Sequence, residues 1–228
     1  LKPERIEGVD FVVVRELTGG IYFGEHILKE DTARDINDYS AEEIRRIIRQ
    51  AFKIAQGRDK KVTSIDKQNV LATSKLWRQV AEEVAKEFPD VTLEHQLVDS
   101  AAMIMITNPA RFDVVVTENL FGDILSDESS VLPGTLGVMP SASHSDQGPS
   151  MYEPIHGSAP DIAGQGIANP ISMILSVAMM LRDSFGETAG AEMIEEAVNQ
   201  TLNQGILTRD LGGQASTAEM TAAIIRNL

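Results

Sequence analysis

The chain has 228 residues, 43% hydrophobic and 24% charged, which is the balance of one large globular domain or two small ones and excludes a disordered or collagen-like chain. The 20 basic and 34 acidic side chains leave a net charge of −14, which repels phosphate backbones and anionic bilayers and argues against a nucleic-acid or membrane partner. With no cysteine, disulfides, thiolate metal sites and cysteine nucleophiles are excluded, and the composition fits a cytoplasmic protein.

No stretch approaches the roughly 20 apolar residues that span a bilayer. The most apolar segment, residues 171–181, is shorter and carries Ser172 and Ser176. The chain opens Leu-Lys-Pro with no initiator methionine, as a processed chain or a fragment would.

In chain order, residues 9–14 (VDFVVV) read as a buried strand that runs into a Thr-Gly-Gly turn. Residues 25–39 are polar and mixed, the texture of an exposed arm or hairpin. Ser40-Ala-Glu-Glu is a capping box, and Ile44, Ile47, Ile48, Ala51 and Ile54 follow at helical spacing until Gly57. A short strand is expected over 61–65, a helix over 74–88, a half-buried strand over 91–98 and a helix from 101. Residues 112–117 (FDVVVT) form another buried strand, followed by a helix over 120–131. Strand–helix alternation of this kind places the chain in the α/β class.

From 133 to 169 glycine and proline crowd in, with one strand candidate at 151–155. Helices are expected over 170–184, 189–203 and 216–227. A soft boundary falls between 133 and 140. It separates a domain of residues 1–134, with its arm near 25–39, from a helical portion of residues 135–228 that is short of strands and needs sheet from elsewhere.

Asp123 and Asp127 stand four apart, so a helix puts both carboxylates on one face just beyond a strand end. Such a pair is either a site for a hard cation, Mg²⁺ or Mn²⁺, or two solvated acids favoured by the helix N-terminus. Asp99 also follows a strand, where it caps the next helix unless Ser100 takes that place. Lys67 is either a proton-transfer group near a cation or a surface lysine paired with Asp66. Arg15 is either a carboxylate clamp or the partner of Glu16, and Tyr22 is either a proton donor to an enolate or a half-buried aromatic. The Gly-rich segment 152–170 (YEPIHGSAPDIAGQGIANP) lets a ligand approach the backbone and ends at a helix N-terminus. His156 there is a stacking or hydrogen-bonding contact, or a satisfied loop histidine.

Six segments together, VRELTGGIYFG (14–24), SIDKQNVL (64–71), VDSAAM (98–103), TENLFGDILSDE (117–128), PSAS (140–143) and the segment 152–170, closely resemble the β-decarboxylating dehydrogenases, in particular their isopropylmalate branch. The resemblance implies an isopropylmalate-dehydrogenase-like two-domain α/β fold, incomplete at the N-terminus. It implies oxidative decarboxylation of 3-isopropylmalate to 4-methyl-2-oxopentanoate with reduction of NAD, in leucine biosynthesis. Residues 1–134 are then the substrate, metal and dimerisation domain, and 135–228 the C-terminal half of the cofactor-side domain.

On the same footing Asp99, Asp123 and Asp127 are the metal ligands, and Asp99 also faces substrate. Lys67 takes part in proton removal, Tyr22 protonates the enol carbon, Arg15 holds a substrate carboxylate and Val70 helps to form the isopropyl pocket. His156, Gly157, Ser158, Ala159, Asp161, Ile162 and Asn169 contact NAD, with Asp161 disfavouring the 2′-phosphate of NADP. In the family the lysine and the first aspartate reach the site from the partner subunit, which implies a homodimer. The resemblance also implies an N-terminal portion absent here, so the chain is expected to be a fragment with doubtful activity by itself. The competing expectations are a related isocitrate, homoisocitrate, tartrate or malate enzyme, or a non-catalytic metabolite-binding subunit.

Overall fold

The computed structural model describes residues 2–228. It divides into two compact units, Leu1–Ser129 and Ser130–Leu228. The division lies ahead of the one expected after residue 134, because the preceding helix ends at Ser129.

The first unit is a three-layer α/β/α assembly. A short helix, α1 (Pro3–Ile6), precedes strand β1 (Val12–Arg15), and an antiparallel hairpin follows, β2 (His26–Leu28) with β3 (Ala33–Asp35). Then come α2 (Ala41–Gln56), β4 (Lys61–Asp66), α3 (Ala72–Ala85), β5 (Thr92–Leu97), α4 (Val98–Thr107), β6 (Val114–Thr117) and α5 (Asn119–Ser129). Strands β1, β6, β4 and β5 form one sheet in that order, with every pair parallel. The expected strand over 9–14 begins at Val12, and residues 9–11 lie outside the ladder.

Both faces of this sheet are covered, which explains the unbroken β-branched runs. Successive side chains on a strand point to opposite faces. On β6, Val114 and Val116 join α2 and α3 in one core with Ile44, Ile48, Phe52, Trp77 and Val84. Val115 between them joins Ile65, Ala101, Met105 and Leu125 in the other. The capping box of α2 is present: the Ser40 side chain accepts from the Glu43 N–H, and Glu43 accepts from the Ser40 N–H. Because all four strands are parallel, their C-terminal ends meet along one edge. The side chains that follow those ends are therefore brought together by topology.

The second unit holds β7 (Pro140–Ser143), β8 (Met151–Pro154), α6 (Ile171–Phe185), α7 (Thr188–Asn203) and α8 (Thr217–Asn227). Strand β7 was expected as loop. Its sequence, Pro-Ser-Ala-Ser, lacks the branched residues that mark a strand, and its proline is tolerated at a strand's first position. It pairs antiparallel with β8. The two serines that interrupt the apolar run of α6 dock this hairpin. Ser172 Oγ donates to the Met139 carbonyl, and Ser176 Oγ donates to the Glu153 carbonyl at 2.9 Å. Ile171, Ala197, Val198, Met220 and Ile224 form the core of the unit. Among the described residues no helix is long and apolar enough to cross a membrane.

Ile48 is fully buried on the sheet-facing side of α2, whereas Leu28 in the hairpin is 86% exposed. Ile48→Ala is expected to cost about 2–5 kcal/mol by lost transfer and an unfilled cavity. Leu28→Ala is expected to change stability by less than about 0.5 kcal/mol. Urea unfolding midpoints of the two variants check the contrast.

Candidate functional site

At the sheet's C-terminal edge the last residue of β1 meets the first turns of α5. Arg15 Nε and Nη2 both donate to Asn119 Oδ1, at 3.0 and 2.8 Å, and Nη1 donates to Asp123 Oδ1. The Tyr22 hydroxyl donates to the other oxygen of Asp123 at 2.9 Å. The guanidinium carbon also lies 5.6 Å from the centre of the Tyr22 ring, a cation–π distance. Arginine has five N–H groups, so these contacts leave one N–H on each terminal nitrogen for a further acceptor. Gly122 permits the arrangement: a Cβ there would lie 2.5 Å from Arg15 Cγ.

This pairing differs from the Arg15–Glu16 alternative. Glu16 is buried and turned the other way, accepting from the Thr18 and Gly19 N–H groups and from Arg46. Tyr22 is 47% exposed, and its hydrogen bond to Asp123 raises its pKa.

Beneath Arg15 lies a buried polar lattice. Asn119 Nδ2 donates to the Gly19 carbonyl at 3.2 Å. The Tyr39 hydroxyl accepts from the Asn119 N–H at 3.0 Å and donates to Glu118 at 3.3 Å. Glu118 in turn accepts from the Leu120 and Phe121 N–H groups, capping α5 with its own carboxylate. Burial raises the pKa of both Glu118 and Tyr39. Sequence reasoning gave no site role to Tyr39, Glu118, Asn119 or Gly122, and weighed Glu16 only as a partner of Arg15. The available signal was polar residues directly abutting buried strands at 15–16 and 117–119.

Asp127, one turn along α5, is exposed and has no side-chain partner among the described residues. Lys67, just past β4, donates to Asp99 Oδ1 at 2.6 Å, and this bond lowers the Asp99 pKa. The expected Lys67–Asp66 alternative fails because Asp66 is buried and holds Arg78 through two bonds, at 2.9 and 3.1 Å. Asp99 is not a cap either: α4 starts at Val98 with Leu97 in the cap position, and Asp99 lies in its first turn. Ser100 Oγ donates back to the Leu97 carbonyl, so it does not take the cap position. Val70 is 66% exposed. Among the described residues no three acids or histidines converge on a metal-sized site. One copy of the chain thus brings Arg15, Tyr22 and Asp123 together, and Lys67 with Asp99, but does not unite Asp99 with Asp123 and Asp127.

In the second unit His156, Gly157, Ser158, Ala159, Asp161 and Ile162 lie on one continuous surface loop after β8. His156 is half-buried, with Nδ1 2.9 Å from the Gly157 carbonyl. Ala159 sits at φ +42°, a left-handed conformation that costs a non-glycine residue roughly 1–2 kcal/mol and so marks a constrained turn. The Asp161 carboxylate is exposed and has no partner among the described residues. Asn169 stands apart, buried at the start of α6, where its Oδ1 accepts from the Ile171 N–H at 3.0 Å.

A sequence model of the family described as isocitrate/isopropylmalate dehydrogenase matches residues 1–224. A 3-isopropylmalate dehydrogenase of Streptococcus thermophilus is 91% identical over all 228 residues, and one of Streptococcus mutans is 86% identical. The chain spans 66% of the length of each of these relatives. Among solved structures, the TT0538 protein of Thermus thermophilus superposes with a TM-score of 0.94 at 39% identity, covering all of this chain and 47% of that one. An isocitrate dehydrogenase of Methylococcus capsulatus gives 0.90 at 41%, covering 96% of this chain and 67% of that one.

Tyr39→Phe leaves the buried Asn119 N–H without its acceptor and Glu118 without a donor. The variant is expected to lose about 1–3 kcal/mol of stability. Denaturant unfolding beside the parent protein checks it.

Proposed function

The chain belongs to the isocitrate/isopropylmalate dehydrogenase family, and from that premise we propose that, within its full-length protein, it carries the residues for oxidative decarboxylation of 3-isopropylmalate with NAD. The product is 4-methyl-2-oxopentanoate, and the step belongs to leucine biosynthesis in the cytoplasm. The observation that carries this reading is the convergence of Arg15, Tyr22, Asn119 and Asp123 on one sheet edge, with Arg15 keeping two N–H groups unused.

The donor set fits a hard divalent cation. Asp123 and Asp127 are oxygen donors on one helix face, and Asp127 has no competing partner among the described residues. One copy does not gather Asp99 with them, and the family resemblance supports a third carboxylate supplied, together with Lys67, by a second copy in a homodimer. When bound, Mg²⁺ or Mn²⁺ supplies polarisation of the oxygen undergoing oxidation, and NAD supplies the hydride acceptor. The cofactor loop fits NAD because the unpartnered Asp161 carboxylate can accept from ribose hydroxyls and repels a 2′-phosphate. His156, Gly157, Ser158, Ala159, Ile162 and Asn169 supply the other contacts.

The remaining work falls to this chain's side chains. Arg15 grips one substrate carboxylate and fixes the orientation of the carbon skeleton. Val70 borders the isopropyl group. Lys67 Nζ accepts the hydroxyl proton as the adjacent C–H leaves as hydride, and Asp99 holds that nitrogen in place. The C–C bond to the β-carboxylate then breaks, its electrons pass to the new ketone oxygen, and CO₂ departs. Tyr22 Oη gives its proton to the carbon left behind. The hydrogen bond from Tyr22 to Asp123 holds that hydroxyl at the site.

NADH formation by the full-length protein is expected with 3-isopropylmalate and absent with isocitrate; turnover of isocitrate alone would overturn the substrate reading. Tyr22→Phe and Lys67→Ala are each expected to lower kcat by about 10²–10⁴-fold, with much smaller effects on KM. Steady-state kinetics check this, and unchanged turnover in either variant removes that residue from the mechanism.

A further inference from the structure

Asn169 does not hold its carboxamide by itself. Its Nδ2 donates at 3.0 Å to Oδ2 of Asp210, which lies in the turn Arg209–Leu211. The same carboxylate accepts from Thr135 Oγ1 at 2.8 Å and from Thr208 Oγ1 at 2.6 Å. Three separate segments of the second unit therefore meet on one side chain. Burial alone would raise the Asp210 pKa, but the donors Thr208, Asn169 and Thr135 outweigh it and hold the group below the ordinary carboxylate value, hence ionised. Space for the contact is left by Gly137, where a Cβ would lie 2.6 Å from Asp210 Oδ2 and 2.8 Å from Asn169 Cβ.

The chemistry of this contact is directional. A carboxamide rotated by 180° exchanges its donor and acceptor ends, and the two forms differ little in shape. An ionised carboxylate only accepts, so it admits the N–H₂ end alone. The Ile171 N–H only donates, so it admits the oxygen end alone. Between them the amide has a single orientation, and one N–H and one oxygen lone pair remain unused.

We propose that Asp210 is a positioning residue for cofactor binding: by fixing the Asn169 carboxamide it presents a donor and an acceptor in one order to the nucleotide base of NAD. This rests on the reading of Asn169 as a cofactor contact. Adenine pairs an amino donor with a ring-nitrogen acceptor, and hypoxanthine reverses both, so a fixed amide distinguishes them and a freely flipping one does not.

The test is calorimetric titration of NAD, and of nicotinamide hypoxanthine dinucleotide, into the full-length wild-type and Asp210→Asn proteins. An asparagine at this position both donates and accepts, so it withdraws one of the two selections and leaves the Ile171 N–H alone to hold the amide. The NAD Kd is expected to rise about tenfold and the preference for adenine over hypoxanthine to shrink by a similar factor. KM for NAD should rise while kcat and KM for 3-isopropylmalate hold, a split that a purely structural residue would not produce. Unchanged NAD affinity and base preference in folded Asp210→Asn would overturn the inference. Should that variant not fold, Asp210→Ser removes the carboxylate that accepts from Asn169 Nδ2 and is expected to act in the same direction by roughly threefold; an unaltered base preference there is equally fatal. Asn169→Ala separates the premise from the inference. If it leaves NAD affinity intact, the cofactor reading of Asn169 falls and the inference with it. If it weakens binding while Asp210→Asn does not, only the positioning role falls.

Discussion

Buried polar groups at the end of a parallel sheet must satisfy one another, and in the first unit that constraint determines where Arg15 points. Water cannot reach Glu16, Glu118 or Asn119, so each needs partners from the protein. Tyr39 bridges two of them with one hydroxyl, accepting from the Asn119 N–H and donating to Glu118. The Asn119 side chain, its Nδ2 donating to the Gly19 carbonyl, is held with its oxygen toward Arg15, and Glu16, engaged by Thr18, Gly19 and Arg46, does not compete for the guanidinium. Packing, helix capping and site geometry are thus one set of bonds.

The same accounting separates side chains that position from side chains left for a ligand. Glu118, Asn119 and Asp210 are each held by several protein partners and hold their neighbours in place. Asp127 and Asp161 are exposed with no partner among the described residues, although unpaired acids in a chain of net charge −14 carry a repulsive cost. Under the proposed function a cation would offset that cost at Asp127, and ribose hydroxyls would give Asp161 the donors it lacks. Lys67 and Asp99 fall between the two groups: they satisfy each other, yet 64% of the Asp99 side chain is exposed. That exposure leaves the pair accessible to a second copy of the chain.

How legible this was in the sequence follows from the range of each interaction. The capping box of α2, the buried strand β6 and the hairpin of β2 and β3 were readable because their signals are local: a four-residue motif, a β-branched run, a polar break. Strand β7 was not, because Pro-Ser-Ala-Ser takes its strand character from pairing with β8 and docking on the α6 serines. The residues of the candidate site were identified by motif. Their partners were misassigned wherever the nearest charge in sequence was taken as the nearest in space. Arg15 reaches past Glu16 to Asn119 and Asp123, and Lys67 past Asp66 to Asp99, through contacts made only when the parallel sheet closes. Asp210 was not legible as a partner of Asn169, since two of its three donors, Thr135 and Asn169, lie far from it in the chain.

The central claim is that the fold aims Arg15 at a substrate carboxylate, and Gly122→Ala tests it without removing any group that touches substrate. The added methyl would lie 2.5 Å from Arg15 Cγ, so the arginine must move. Calorimetric titration of 3-isopropylmalate into the full-length variant is expected to show a Kd raised about tenfold or more, with the unfolding midpoint little changed. A folded Gly122→Ala protein that binds 3-isopropylmalate as tightly as its parent would contradict the account.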